Sequence, residues 1–202
     1  MAPKQRILDE NESLLTLWHK AQAGDKAAFC QLAESQYRAL FSYALNFTTD
    51  REFVKDSIQA VFIRVWEKRA TITIQFVAIY LFKSLRNELF QEFRRQKQWF
   101  TATDSREVSE LSDWQTVETE IEQQEAESES QQRLRRAIST LPKRHQEAIF
   151  LKFYEGLDND QIAGLMDINR QSVANLLYKS LCALKSQMTF FTYWLIVAVL
   201  FR

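Results

Sequence analysis

The 202-residue chain is 46% hydrophobic and 26% charged, and its 26 Lys+Arg balance its 26 Asp+Glu to a formal net charge of zero. Only three Gly and two Pro, and no sustained apolar–polar alternation, exclude a β-rich fold and predict an all-α protein. Overall neutrality argues against a nucleic-acid partner until the charge is mapped: residues 1–100 carry 15 Lys+Arg against 11 Asp+Glu, residues 101–132 carry 1 against 10, and residues 133–202 carry 10 against 5.

At this length the chain could be one large domain or two small ones, and the basic–acidic–basic order divides it into helical blocks at residues 10–100 and 132–187, a linker at 101–131 and a tail at 188–202. In chain order, residues 12–47 read as two helices divided near Gly24 and Asp25. Leu14, Leu15, Leu17, Trp18, Phe29, Leu32, Leu40, Phe41, Ala44 and Leu45 form their expected core. Thr49 to Glu52 has the pattern of a capping box and opens a third helix that runs to about Lys68. On that helix Val54, Ile58, Val61 and Val65 share a stripe expected to face the core. Asp56, Gln59, Ile63 and Trp66 fall on nearly the opposite stripe, where apolar anchors among polar groups suit a protein interface. A central helix buried on both sides gives the same pattern.

A fourth helix is predicted from about Phe76 to Gln98, with Ala78, Phe82, Leu85, Leu89 and Phe93 on its buried stripe. Lys83, Arg86, Asn87, Phe90, Arg94 and Lys97 line a neighbouring face. Cations there can meet phosphates, while Phe90 and nearby Trp99 offer faces to unstacked bases. Glu88 and Glu92 are placed on other faces, diluting the field, and a solvated charged face accounts for the row equally well. Residues 101–131 have few large apolar groups. They cannot bury enough surface to offset the entropy of ordering, which predicts a linker, becoming helical after Val117 at most. Its negative charge could mimic a nucleic-acid strand or serve only as a solvated spacer.

From Glu155 to Lys185 the sequence reads as two helices joined by a tight turn. Asp158 or Asn159 caps the first, whose apolar side is Ile162, Ala163, Leu165 and Met166. Asp167, Ile168 and Asn169 make the turn, with Asn169 capping the second helix. Val173, Leu176, Leu177, Leu181 and Leu184 give that helix a core face. Arg170, Gln171, Ser172, Asn175, Tyr178 and Lys179 lie on or beside the opposite face, a set able to bond base edges and phosphates. An ordinary helical hairpin with a polar surface is the alternative. The tail, residues 188–201, is a 14-residue apolar run, shorter than the roughly 17–25 residues that span a bilayer. It can fold back on a domain, dock a regulator, or contact a membrane.

Cys30 and Cys182 stand alone, without a second Cys or a His at metal-ligand spacing, and His19 and His145 are isolated. No phosphate-binding Gly loop, nucleophile elbow or paired carboxylates in an apolar setting is present. No catalytic residue, metal or cofactor is therefore expected. The lack of a signal peptide predicts a reducing cytoplasm.

Two motifs combine into a resemblance. Asp56-Ser57-Ile58-Gln59-Ala60-Val61-Phe62-Ile63-Arg64-Val65-Trp66 resembles the D-x-I/V-Q-x-V-F-x-x-V-W helix of sigma-70 family initiation factors. Leu141-Pro142-Lys143-Arg144, Tyr154-Glu155-Gly156-Leu157, Gln161-Ile162-Ala163 and Ile168 to Val173 resemble their C-terminal helix-turn-helix. The order and the acidic linker are similar to the two-domain extracytoplasmic-function (ECF) group, over about residues 12–187. The resemblance implies that Asp56, Gln59, Phe62, Ile63 and Trp66 dock on the largest subunit of core RNA polymerase. It implies that the loop at residues 69–75 receives a flipped base of the promoter −10 element, and that Lys83, Arg86, Asn87, Phe90, Arg94 and Lys97 contact the melted strand. The C-terminal domain would bind the flap of the second-largest subunit and read the −35 element through Arg170, Gln171, Ser172, Asn175, Tyr178 and Lys179. The linker would thread the active-site cleft, and an anti-sigma factor or other regulator is an implied partner. Three departures stand out: Asp167 replaces the usual turn Gly, Ala174 stands where many relatives have Lys, and residues 69–75 lack Gly and Pro. The competing functions are a helix-turn-helix regulator that acts without polymerase and a membrane-associated adaptor built on the tail.

Overall fold

The computed structural model describes residues 3–101 and 129–200, with side chains described over 11–95 and 134–186. Every regular element among the described residues is a helix, and the chain divides into two compact units, Met1–Gln115 and Thr116–Arg202. The linker expected at 101–131 lies almost wholly outside the described residues. So do the side chain of Lys97 and the ring of Trp99.

The first unit holds α1 (Pro3–Gln22), α2 (Lys26–Ala44), α3 (Arg51–Glu67) and α4 (Val77–Thr101). The predicted break between the first two helices falls at Gly24, whose φ of +98° suits glycine alone, and Asp25 then caps α2 by accepting from the Ala28 amide. Trp18, Leu32, Leu40, Tyr43, Ile58, Leu81, Phe82, Leu85 and Leu89 are each under 2% exposed, so all four helices feed one core. At about 1.5–3 kcal/mol per large side chain, this burial is the main stabilising term of the unit. Of the expected core, Leu15, Leu17, Phe29, Phe41, Leu45 and Ala78 are only half-buried. The capping box expected at Thr49 and Glu52 is not formed. Asp50 is the cap and accepts from the Phe53 amide at 3.0 Å, while Glu52 turns outward to Lys55 at 2.6 Å. The aspartate sits one residue nearer the helix and outcompetes the threonine for the free amides.

The second unit holds α5 (Glu129–Ser139), α6 (Lys143–Ile149), a π-helical turn (Phe150–Tyr154), α7 (Asn159–Met166) and α8 (Arg170–Leu200). Buried Gln146 ties the turn before α6 by donating to the carbonyls of Ser139 and Leu141, at 3.0 and 2.6 Å. After the π turn, Gly156 at φ +70° reverses the chain, and the Leu157 amide closes back on the Leu151 carbonyl at 3.0 Å. A true capping box starts α7: Asp158 accepts from the Gln161 amide, and Gln161 accepts from the Asp158 amide. Asp167 ends α7 at φ 54°, the one left-handed non-glycine among the described residues. Aspartate bears that conformation better than most residues. Asn169 then caps α8 by accepting from the Ser172 amide at 2.7 Å. Leu181, expected in the core, is 47% exposed, because the buried stripe of α8 passes through Val173, Leu177, Ser180 and Leu184 instead. No helix among the described residues is long and apolar enough to cross a membrane.

Candidate functional site

The α3 helix separates its two stripes cleanly. Val54, Ile58, Val61 and Val65 are at most 3% exposed. Of the other stripe, Asp56 and Gln59 are exposed, Ile63 is 50% exposed, and Phe62 and Trp66 are half-buried. Together with α2 this side forms an open groove of about 580 Å³, lined by Phe29, Cys30, Gln59, Phe62, Ile63 and Trp66, with Lys26, Lys55 and Glu67 supplying charge. Its floor is a preformed aromatic cluster. The Phe29 ring lies 5.1 Å from Trp66 and meets Phe62 edge-on at 6.2 Å. A rigid aromatic floor beside an exposed isoleucine can seat a partner helix with little loss of side-chain entropy. Asp56 is on the helix but does not line the groove.

On α4, Asn87 and Arg94 are exposed and Lys83, Arg86 and Phe90 half-buried. The Arg86 guanidinium lies 4.7 Å over the Phe90 ring, whose edges pack against Phe47 at 5.7 Å and Phe93 at 6.3 Å. Phe90 is therefore held rigidly, with Arg86 stacked on it as the cationic cap of an aromatic surface. Glu88 does not dilute the field as the sequence suggested. It is 7% exposed and ion-paired with Arg64 of α3, and Glu92 is ion-paired with Arg95. Both carboxylates thus have a cation beside them.

The loop between α3 and α4 is braced by two α1 residues that sequence reasoning missed. The Gln22 amide donates to the carbonyls of Arg69 (3.1 Å) and Ile72 (2.9 Å). Asn11 donates to the Gln75 carbonyl at 2.9 Å and accepts from the Val77 amide at 3.1 Å. Arg69 stacks 4.0 Å over Trp66 and donates to the Trp66 carbonyl at 2.8 Å, and its Nε is buried without a partner among the described residues. The loop lacks Gly and Pro but is held in one shape by these bonds, which span 47 to 66 residues of sequence. Their only sequence signal is that Asn11 and Gln22 are amides flanking the apolar run of α1.

In the second unit, Gln171, Asn175 and Tyr178 recur on one exposed face of α8, with Arg170 and Lys179 beside them and Ser172 half-buried. Gln171 donates to Asn175 at 3.4 Å, and Arg170 lies 3.5 Å from Asp160 of α7. Paired amides on a protruding helix can bond the major-groove edge of adenine, while the cations reach phosphates. This face is anchored from behind: Ser180, fully buried, donates to the Leu176 carbonyl at 2.7 Å and bonds His145 Nδ1 of α6 at 2.9 Å. Burial first, and then the nearby Lys179 charge, hold the His145 pKa below the ordinary value of 6.5, so the ring is neutral at pH 7. Phe153 and Tyr154 of the π turn are 58% and 62% exposed, an apolar surface that the sequence reading did not single out.

Among the described residues no group of three His, Cys, Asp or Glu can hold a metal, and Cys30 and Cys182 are both free and exposed. The surfaces present are suited to binding macromolecules.

Comparison with known proteins matches residues 32–99 to sigma-70 region 2 and residues 131–184 to sigma-70 region 4, together more than half of the chain. The ECF RNA polymerase sigma factor BldN of Streptomyces coelicolor is 24% identical over 173 residues, covering 85% of this chain. The chain spans 64% of the length of that relative. Among solved structures, the sigma factor RpoE of Bartonella quintana, crystallised with the anti-sigma factor NepR, shares the fold at a TM-score of 0.59 and 17% identity, covering 80% of this chain and 96% of that one. CnrH, in complex with the cytosolic domain of CnrY, shares it at 0.59 and 18%, covering 88% and 97%.

Proposed function

The chain belongs to the sigma-70 family, in its ECF group, and on that footing we propose that it is a dissociable specificity subunit that brings core RNA polymerase to a set of promoters and promotes their melting. Members of this family are transcription initiation factors rather than enzymes, so its work is done by binding. In this reading the α2–α3 groove docks on the largest polymerase subunit through Gln59, Phe62, Ile63 and Trp66, with Asp56 on the same helix. The preformed aromatic floor and half-exposed Ile63 support that assignment. Lys83, Arg86, Asn87, Phe90, Arg94 and Lys97 hold the melted strand, and the braced 69–75 loop takes an extruded base. Unstacking a base costs a few kcal/mol, and a site that binds the base once extruded shifts the equilibrium toward the open complex. The α8 face with Arg170, Gln171, Ser172, Asn175, Tyr178 and Lys179 reads the −35 element. Residues 101–131 thread the polymerase cleft as an acidic strap.

The observation that carries the proposal is the pairing, in one chain and in this order, of an apolar protein-docking groove beside a cationic aromatic helix and a separate helix-turn-helix unit. RpoE was solved with the bound anti-sigma factor NepR, which supports an anti-sigma partner here, and we place the protein's work in the cytoplasm. Run-off transcription tests the function. Core polymerase plus this chain should initiate from a discrete set of fragments of the source genome, and start-site mapping should reveal shared −35 and −10 elements. Failure to initiate on any fragment, with core enzyme active alongside another sigma factor, overturns the proposal.

A further inference from the structure

The 69–75 loop has few local means of holding a shape. The Thr71 and Ile72 amides both donate to the Lys68 carbonyl, at 3.0 and 3.2 Å, and so extend α3 by one turn. Beyond Ile72, none of the amides from Thr73 to Phe76 bonds a backbone carbonyl among the described residues. The form of the loop is imposed by α1. The carbonyls of Arg69, Ile72 and Gln75, every third residue, all accept from α1 amide side chains, the first two from Gln22 and the last from Asn11.

Both side chains have their orientation fixed by what they bond. Gln22 gives its Nε2 hydrogens to two carbonyls, and its Oε1 lies 3.2 Å from His19 Nδ1, which supplies the proton. Asn11 donates to the Gln75 carbonyl, while its Oδ1 accepts from the Val77 amide, the first of α4. One side chain thus caps α4 from 66 residues away and fastens the end of the loop. Ile74, 8% exposed, pins the loop to the core. Ala70, Thr71 and Thr73 are exposed and small. Small side chains leave room for a planar ring, and hydroxyls both donate and accept, so they suit the edge of any base.

We propose that Asn11 and Gln22 are positioning residues for promoter melting, which hold the loop in its receiving form before DNA arrives. An extruded base then meets a formed site, and its binding is not offset by the entropy of ordering the loop. This inference rests on the function proposed above, which assigns the loop to a base. Without the braces the loop is ordered anew at each opening, and the open complex is less populated. The deficit belongs to the one base that the loop receives.

The test uses holoenzyme formed from core polymerase and the full chain, on a promoter found by start-site mapping. Permanganate reactivity of unpaired thymines reads the open complex. The intact duplex is compared with duplexes carrying a single abasic site at each −10 position in turn, on either strand. The variant-to-parent ratio on each DNA cancels the effect of the lesion on the duplex itself. Gln22→Ala should bind core polymerase as the parent does, yet form at least fivefold less open complex on the intact duplex. At one abasic position that deficit should vanish, since no base remains for the loop to receive; at the others it should persist. Asn11→Asp separates holding from folding. Its carboxylate still accepts from the Val77 amide but cannot donate to Gln75, so it should keep the parent's thermal transition and show the same deficit, relieved at the same position. A variant that opens the intact promoter as well as the parent overturns the inference. So does a deficit that persists at every abasic position, the mark of a merely structural brace. A parent chain that opens no promoter overturns the sigma-factor reading, and this inference with it.

Discussion

The Arg64–Glu88 pair joins the groove helix α3 to the cationic helix α4, and its two ends differ in exposure: the Arg64 side chain is 45% exposed and that of Glu88 10%. Removing either end should therefore have unequal costs. Arg64→Ala leaves a carboxylate buried and unpaired. Fully buried pairs broken this way lose about 3–5 kcal/mol, and the partial exposure of this one scales the expectation to about 2–3 kcal/mol. Glu88→Ala leaves a guanidinium that can turn to water, for a loss of about 1 kcal/mol. The double variant has no stranded charge and should sit near the Glu88→Ala value, which makes the coupling energy about 2–3 kcal/mol. Urea unfolding followed by tryptophan emission in a Trp194→Phe background reads the first unit, since the other four tryptophans lie within Met1–Gln115. Equal losses for the two single variants, or a loss under about 0.5 kcal/mol for Arg64→Ala, would refute the reasoning.

Three further outcomes follow from the geometry. His145 has its pKa lowered by burial and by Lys179, so the fold prefers the neutral ring. Its contribution to stability is complete above about pH 6.5 and is lost as pH falls below that value toward the folded pKa. Urea midpoints measured between pH 5 and 7.5 should drop at the acid end, and His145→Gln should flatten that slope. Asp167→Val places a β-branched residue at φ 54°, and thermal unfolding of the second unit should show a loss of about 1–3 kcal/mol; an unchanged transition would mean that the turn relaxes. Gln22→Ala removes both amide bonds to the 69–75 loop. Amide hydrogen exchange in that loop should accelerate at least tenfold while the α4 core amides stay protected.

Much of the architecture is legible because it is periodic or local. The apolar stripes of α3 and α4, the Gly24–Asp25 break, the Asp167 turn and the Asn169 cap each depend on residues within a few positions of one another. What escapes the sequence depends on distant partners. Glu88 looks like one more surface charge until Arg64, 24 residues away, is found beside it. Asn11 and Gln22 look like solvent-facing amides until the loop more than 45 residues on is found to accept from them. Leu181 fits the helical spacing of a core residue, yet the small Ser180 takes the buried position because His145 bonds it there. The cap of α3 shows the limit of local rules themselves: two acceptors, Thr49 and Asp50, compete, and only the geometry shows which one meets the free amide. The faces that carry function were legible as residue types. Their rigidity, through Phe29 beneath Trp66 and Arg86 over Phe90, was not.

The most direct test of the account is equilibrium binding of the labelled full chain to purified bacterial core RNA polymerase, with Ile63→Glu as the probe. Ile63 is half exposed, so a charge there leaves the fold intact but faces whatever enters the groove. Saturable binding by the parent chain and at least a tenfold weakening by Ile63→Glu, at unchanged helicity, is the predicted result. No binding by the parent chain, or equal affinity for both proteins, would contradict it.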